Sequence, residues 1–135
     1  MDKIKTIVLL LVISLIFMIL TWVGYGAFKE FTNPKIVFNT LSADLDTLYR
    51  QEDAFFYFIY KNEGNSDLKI YNITTSCVCT IPFWNSGLLK RSETDSFKVE
   101  YNIENKGYFI KEILVYSNSP TSPDKLQLLG YVPFE

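Results

Sequence analysis

The sequence contains no histidine and only two cysteines and two methionines, and its formal net charge is −2. The missing histidine removes the commonest general base, the usual triad partner and the commonest transition-metal ligand together. Hydrolase and zinc-enzyme readings lose their main support, no recognisable catalytic constellation takes their place, and no cofactor is expected. Thirteen Lys and Arg are scattered among fifteen Asp and Glu, so no concentrated basic face exists for phosphate recognition and nucleic acid is not expected as a partner. No small-molecule substrate is evident either. With so few cysteines, a disulfide framework does not hold the fold.

What is abundant is aromatic surface: eleven Phe, nine Tyr and two Trp in 135 residues. Each aromatic side chain hides on the order of 150 to 250 Å², enough for the core of a small β domain. Ile7 to Val23 is an almost unbroken apolar run, interrupted by Ser14 and Thr21. Extended to Phe28 it reaches the roughly 20 residues that span a bilayer. Lys3 and Lys5 precede it, while Lys29 and Glu30 on the far side cancel, which puts the N-terminus in the cytoplasm. Ile7, Leu10, Leu15, Phe17 and Trp22 are the anchor residues facing lipid, Trp22 at the interface. A cleaved signal peptide is the competing reading, with Gly24-Tyr25-Gly26 as a small-x-small site, but the apolar core exceeds the usual h-region. The expected organisation is a transmembrane anchor over 1–28, a juxtamembrane connector over 29–34 and an extracytoplasmic domain over 35–135.

The remainder reads as short strands with no βα alternation. Lys35 to Asn39 alternates as a first strand, and Leu41 to Asp53 is a loop containing a short one. Ala54 to Lys61, AFFYFIYK, is apolar on both faces and predicts a central strand. The turn Asn62-Glu63-Gly64-Asn65-Ser66-Asp67 follows, then a strand carrying Leu68, Ile70 and, after a bulge, Ile73. Pro82 interrupts pairing, Phe83 and Trp84 cover the end of the fold, and Asn85 to Ser92 is a loop with Leu88 and Leu89 tucked in. Ser96 to Asn102 and Tyr108 to Ser117 form a hairpin across Glu104-Asn105-Lys106-Gly107. Lys125 to Val132 is the last strand. The pattern predicts an all-β, immunoglobulin-like β-sandwich of about seven strands behind one N-terminal transmembrane helix.

Asn62-Glu63-Gly64-Asn65, Ser76-Cys77-Val78-Cys79-Thr80, Gly107-Tyr108-Phe109-Ile110-Lys111, Ser117-Asn118 and the closing Gly130-Tyr131-Val132 resemble domain-of-unknown-function family 1573. That family's pattern is an N-T-G-D turn, an S-C-G-C-T centre, a P-G-E turn, a G-x-F-x-K strand, an S-N end and a terminal G-x-V. Val78 departs from it where Gly is usual, as does Arg91-Ser92-Glu93 where Pro-Gly-Glu is expected. The resemblance covers Lys35 to Val132 and implies an immunoglobulin-like domain exported by Gram-negative bacteria, with no established activity. The implied location is the inner membrane, single-pass, with the C-terminal domain in the periplasm.

Residues two apart on an extended strand place their Cα atoms about 6.6 Å apart, at the far limit of disulfide geometry, so a Cys77–Cys79 bridge needs a local turn. Three readings stay open for the pair: half-buried thiols ending a strand, a redox-active bridge in an oxidising compartment, and a Cu(I) site short of further soft ligands. Asp46-Thr47-Leu48 resembles a bacterial O-glycosylation sequon at Thr47, for which a solvated loop is the plainer reading; Asn72-Ile73-Thr74 matches the N-glycosylation acceptor by chance. The expected role is a non-catalytic interaction or accessory module, a small subunit of an envelope or inner-membrane complex, with lipid and protein partners. Contacts are expected at Phe83 and Trp84 or along the strand edges at Lys35 to Asn39 or Lys125 to Val132. The alternative is a small redox or Cu(I)-handling protein using Cys77 and Cys79.

Overall fold

Leu, Ile, Val and Phe follow one another through the N-terminal segment without a proline, so the segment forms a helix that is apolar on all sides. The structure, a computed structural model, describes residues 2–31 and 33–134, and the chain divides into two compact units, Met1–Asn33 and Pro34–Glu135. Helix α1 covers Asp2–Phe31. Its Asp2–Tyr25 stretch, 24 residues containing an 18-residue window of mean hydropathy 2.9, is long and apolar enough to cross a membrane, as both anchors and signal sequences are. Thr6 and Thr21 return their hydroxyls to the carbonyls of Asp2 and Met18 at 3.0 and 2.8 Å, so their polar groups are satisfied within the helix itself. The five anchor residues, Ile7, Leu10, Leu15, Phe17 and Trp22, are exposed along it. The helix continues through residues 29–31, part of the expected connector. Thr32 and the side chains of Lys29 and Glu30 lie outside the described residues.

The second unit is built of β1 (Ile36–Phe38), β2 (Ser42–Thr47), β3 (Phe55–Asn62), β4 (Leu68–Thr75), β5 (Thr80–Phe83), β6 (Leu88–Leu89), β7 (Thr94–Tyr101), β8 (Gly107–Ser117) and β9 (Asp124–Val132). These nine strands among the described residues exceed the expected seven by β5 and β6. They form a four-stranded sheet, β1-β3-β7-β5, and a five-stranded sheet, β2-β9-β8-β4-β6. Pairing is antiparallel except between β2 and β9. Inward residues of both sheets join one core cluster. Its aromatic part centres on Phe97, which stacks on Phe58 at 5.4 Å and meets Phe38 edge-on at 6.4 Å. Tyr101 stacks on Phe109 at 3.7 Å. Each fully buried ring contributes about 1.5 to 3 kcal/mol. The register shift between Ile70 and Asn72 turns Ile73 inward, as the expected bulge requires.

Several strand readings need correction. β7 and β8 are not a hairpin, because β7 pairs with β3 and β5 while β8 pairs with β4 and β9. The turn at residues 102–106 carries the chain from one sheet to the other, and Gly107, with φ +97°, starts the new strand. Pro82 does not end pairing; it sits opposite Val99 in β5, an edge strand whose outer side needs no N–H. Leu88 is exposed and pairs through its backbone with Lys69, so Leu89 alone packs inward. β9 is not an edge, since β2 and β8 flank it. β3 is internal, but its apolar residues alternate: Phe58 and Tyr60 are buried, whereas Phe55, Tyr57 and Ile59 are exposed.

The turn after β3 is organised by one side chain. Asn62 is fully buried. Its Oδ1 accepts from the N–H groups of Gly64 and Lys35 at 3.0 and 3.4 Å, and its Nδ2 donates to the carbonyls of Ser66 and Leu89 at 2.8 and 2.9 Å. Four bonds use the full capacity of a carboxamide and tie the turn to both β1 and β6.

Candidate functional site

The outward face of the four-stranded sheet is apolar where an antiparallel sheet ordinarily shows a polar side to water. Register places Tyr57 and Phe83 on either side of Lys98, and Phe55 and Ile81 on either side of Glu100, with Ile59 beside Ser96. Tyr57 is 50% exposed, Phe83 52%, and Phe55, Ile59 and Ile81 are also exposed. Phe55 and Tyr57 meet edge to face at 5.7 Å, and the Lys98 ammonium lies 4.6 Å above the Phe55 ring, a cation–π contact. Lys98 and Glu100 form an ion pair between the two rows. That bond holds the Lys98 pKa above the usual lysine range. Beneath the face, burial and then Asp95 push the Tyr60 phenol above its ordinary range, and its hydroxyl donates to Asp95 at 3.4 Å.

Phe83 and Trp84, expected to act together, separate. Strand alternation carries Phe83 outward onto the apolar face and turns Trp84 against the core. The outermost strands β1, β5, β2 and β6 hold three, four, six and two residues, and Pro82 interrupts the donors of β5. Short edges of this kind resist strand addition. Reasoning from sequence missed Phe55, Tyr57, Ile59 and Ile81 as surface residues; the alternation of Ile81 and Phe83 across Pro82 is the signal that marks β5 as an edge strand.

Cys77 and Cys79 form a disulfide with Cα atoms 5.3 Å apart, and the chain turns between β4 and β5 to bring them together. The Thr80 N–H donates to the Cys77 carbonyl at 3.3 Å, and the Thr75 hydroxyl, with one proton to give, lies 3.0 and 2.8 Å from the carbonyl oxygens of Cys77 and Thr80. Val78 stands at the tip, 99% exposed. Its φ is not positive, since Asp46 and Ser92 are the non-glycine residues with positive φ among those described, so glycine is not needed between the cysteines. Closing so short a loop contributes about 1.6 kcal/mol by the chain-entropy relation, roughly half of what a fifteen-residue loop gives. Among the described residues no group of three His, Cys, Asp or Glu lies together to hold a metal ion.

Thr47 ends β2 beside an open groove of about 510 Å³ lined by Asp44, Asp46, Tyr108, Ile110, Leu129 and Tyr131, among others. The groove exists because β2 and β9 lose register between Asp44 and Thr47, where Asp46 takes φ +53°. Gly130 lets the chain close behind it: a Cβ there would meet Phe109 Cζ at 2.8 Å and the Asp46 carbonyl at 3.2 Å.

Residues 36–132 match the family model described as a protein of unknown function, DUF1573. The chain belongs to the DUF1573 family. Among solved structures it is similar to a protein of unknown function from Porphyromonas gingivalis W83, at TM-score 0.66 and 13% identity, covering 76% of this chain and 48% of that one. It is also similar to the YadV chaperone, at TM-score 0.57 and 11% identity, covering 74% and 53%. A third is the CsuC–CsuE complex of chaperone and tip adhesion subunit from Acinetobacter baumannii, at TM-score 0.54 and 11% identity, covering 73% and 57%. The chain thus spans about half the length of these structures. Curated proteins give no match. The likeness is one of fold alone: this chain carries a mostly β-sheet domain after one N-terminal apolar helix, and the structures that share the β arrangement include chaperones.

Proposed function

We propose that this DUF1573 protein is a non-catalytic interaction module, an immunoglobulin-like sandwich held by α1 to the inner membrane with its N-terminus in the cytoplasm and its β unit in the periplasm, and that it serves as a small subunit of an envelope complex. The observation that carries the reading is the exposed row of Phe55, Tyr57, Ile59, Ile81 and Phe83 on one sheet. Two rows of exposed apolar side chains flanking one ion pair cost free energy in water and fit a surface that a partner covers. Support for the compartment comes from the apolar helix and from the likeness to the YadV chaperone and to the chaperone–adhesion subunit complex of chaperone-usher pili. That one neighbour is a chaperone in complex with an adhesion subunit favours binding over chemistry.

Affinity purification of the full chain from native membranes in mild detergent, read by mass spectrometry, tests this. The unaltered protein is expected to bring down reproducible companions, and Phe55→Ser with Phe83→Ser is expected to weaken recovery at least about tenfold, since buried aromatic anchors dominate interfaces, while the circular dichroism spectrum stays unchanged. A protein recovered alone, or companions retained by the double variant, would overturn it.

A further inference from the structure

Two groups beside the Cys77–Cys79 bridge, the Cys79 N–H and the Thr80 hydroxyl, are placed to receive a sulfur anion. The Cys79 N–H points at Cys77 Sγ at 3.2 Å, and the Thr80 hydroxyl lies 3.8 Å from Cys77 Sγ and 3.9 Å from Cys79 Sγ. Thr80 is buried, and its N–H is already committed to the Cys77 carbonyl, so its hydroxyl is held close to both sulfurs. The turn projects into water, with both cysteines half-buried behind Val78. The main-chain donor reaches only Cys77, which makes the sulfurs unequal: a thiolate is stabilised by hydrogen bonds to its charged form, and Cys77 has one more than Cys79.

We propose that Cys77 and Cys79 are a reversible thiol–disulfide couple that accepts two electrons from an external dithiol, with Cys77 as the sulfur released first. One thiolate of the dithiol attacks Cys79 Sγ. A mixed disulfide forms as the Cys77–Cys79 bond breaks, and the electron pair leaves on Cys77 Sγ, where the Cys79 N–H and the Thr80 hydroxyl hold it. The second thiol of the dithiol loses its proton to solvent and attacks its own sulfur in the mixed disulfide. Cys79 leaves as a thiolate, both protein thiolates take protons from water as pH dictates, and the dithiol is released as a disulfide. The protein gains two electrons and two protons, which the dithiol loses. Thr80 is a positioning residue in this scheme and forms no bond to the dithiol. The small loop closed by the bridge makes the exchange compatible with an intact β unit.

The test uses the full chain in detergent micelles. After equilibration with dithiothreitol, then with an excess of reduced glutathione, trapping with iodoacetamide is expected to add two alkyl groups by intact mass while the near-ultraviolet circular dichroism is retained. Limiting iodoacetamide on the reduced protein is expected to label Cys77 several-fold more than Cys79. The pH profile of that labelling is expected to have its midpoint below the ordinary cysteine value of about 8.5. Thr80→Val should move the midpoint upward and slow labelling several-fold at neutral pH, and Thr80→Ser should restore it; a merely structural Thr80 would move neither. The proposal is overturned by a bridge that survives both reductants in the folded protein, by reduction that occurs only with loss of the fold, by faster labelling of Cys79, or by a midpoint unmoved in Thr80→Val.

Discussion

Replacing the carboxamide of Asn62 with a carboxylate changes one atom group in a side chain that water does not reach. In Asn62→Asp the Oδ1 side is untouched, so the bonds from Gly64 and Lys35 remain. On the other side an oxygen replaces Nδ2 and faces the carbonyl oxygens of Ser66 and Leu89 at about 2.8 and 2.9 Å. Two donated bonds worth roughly 1 kcal/mol each are lost, and a buried charge is left without a cation, so the total cost is on the order of 3 to 5 kcal/mol near neutral pH. For a unit of this size that lowers the melting temperature by roughly 20 °C, measured by near-ultraviolet circular dichroism of the full chain in detergent. The loss also depends on pH. Burial beside two carbonyls raises the pKa of the introduced carboxyl in the folded state above the unfolded value of about 3.9. The folded state therefore binds the proton more tightly, so the penalty is smallest below about pH 3.9 and grows as pH rises through the folded value. Asn62→Ala, which gives up all four bonds without adding a charge, is the control and is expected to lose about 2 to 4 kcal/mol with no such pH dependence. An Asn62→Asp protein that melts within a few degrees of the parent at neutral pH, or whose deficit is the same near about pH 4, would show that the Asn62 carboxamide does not hold this turn.

Gly130→Ala places a methyl group 2.8 Å from Phe109 Cζ and 3.2 Å from the Asp46 carbonyl, and Phe109 has no room to retreat because it is stacked on Tyr101. The expected cost is about 1 to 3 kcal/mol, read as a melting point lower by roughly 5 to 15 °C and partly recovered when Phe109→Leu removes the colliding atoms. Ser92→Gly is expected to stabilise by about 1 kcal/mol, because Ser92 is held at φ +66° in the left-handed region that costs a side chain about 1 to 2 kcal/mol; a melting point unchanged or lower would contradict it.

The parts legible in the sequence are those set by period or by a long apolar run. The helix follows from Ile7 to Val23, β3 from the dense aromatic and β-branched run AFFYFIYK, and β1, β4, β7, β8 and β9 from alternation, with β2 as the short strand of the loop expected over residues 41–53. β5 and β6 were not legible, since a strand of two residues carries no period and Pro82 reads as a break unless the strand is already known to lie at an edge. The sheet switch after β7 was not legible because Glu104-Asn105-Lys106-Gly107 suits a hairpin as well as a crossing between layers; which one occurs depends on the neighbours that β3 and β9 supply. Nor could alternation show that the outward residues of AFFYFIYK remain uncovered. The cysteine pair stayed open for a different reason: an extended strand keeps Cα atoms two apart about 6.6 Å away from each other, and only the turn brings them to 5.3 Å.

The residues that place this chain in its family do a different job from those on its apolar face. Asn62 satisfies a buried turn, Gly130 admits the close approach of Phe109, and the Ser92 position demands a left-handed backbone from which N–H donates to the Asn62 carbonyl at 2.8 Å. Each is a backbone or packing solution inside the domain. The two departures from the pattern differ in cost for the same reason: Val78 occupies a position where φ is not positive and the side chain meets only water, whereas Ser92 carries a side chain where glycine would relieve strain. Phe55, Tyr57, Ile59, Ile81 and Phe83 lie outside that pattern, and the ring contacts they make, Phe55 with Tyr57 and Lys98 over Phe55, stay on the outer face of the sheet. Exposed apolar surface of this kind costs free energy in water, and a covering partner of the kind proposed would recover it. On the proposed reading the family's pattern specifies the scaffold and not the binding face, so membership alone does not carry a partner from one member to another.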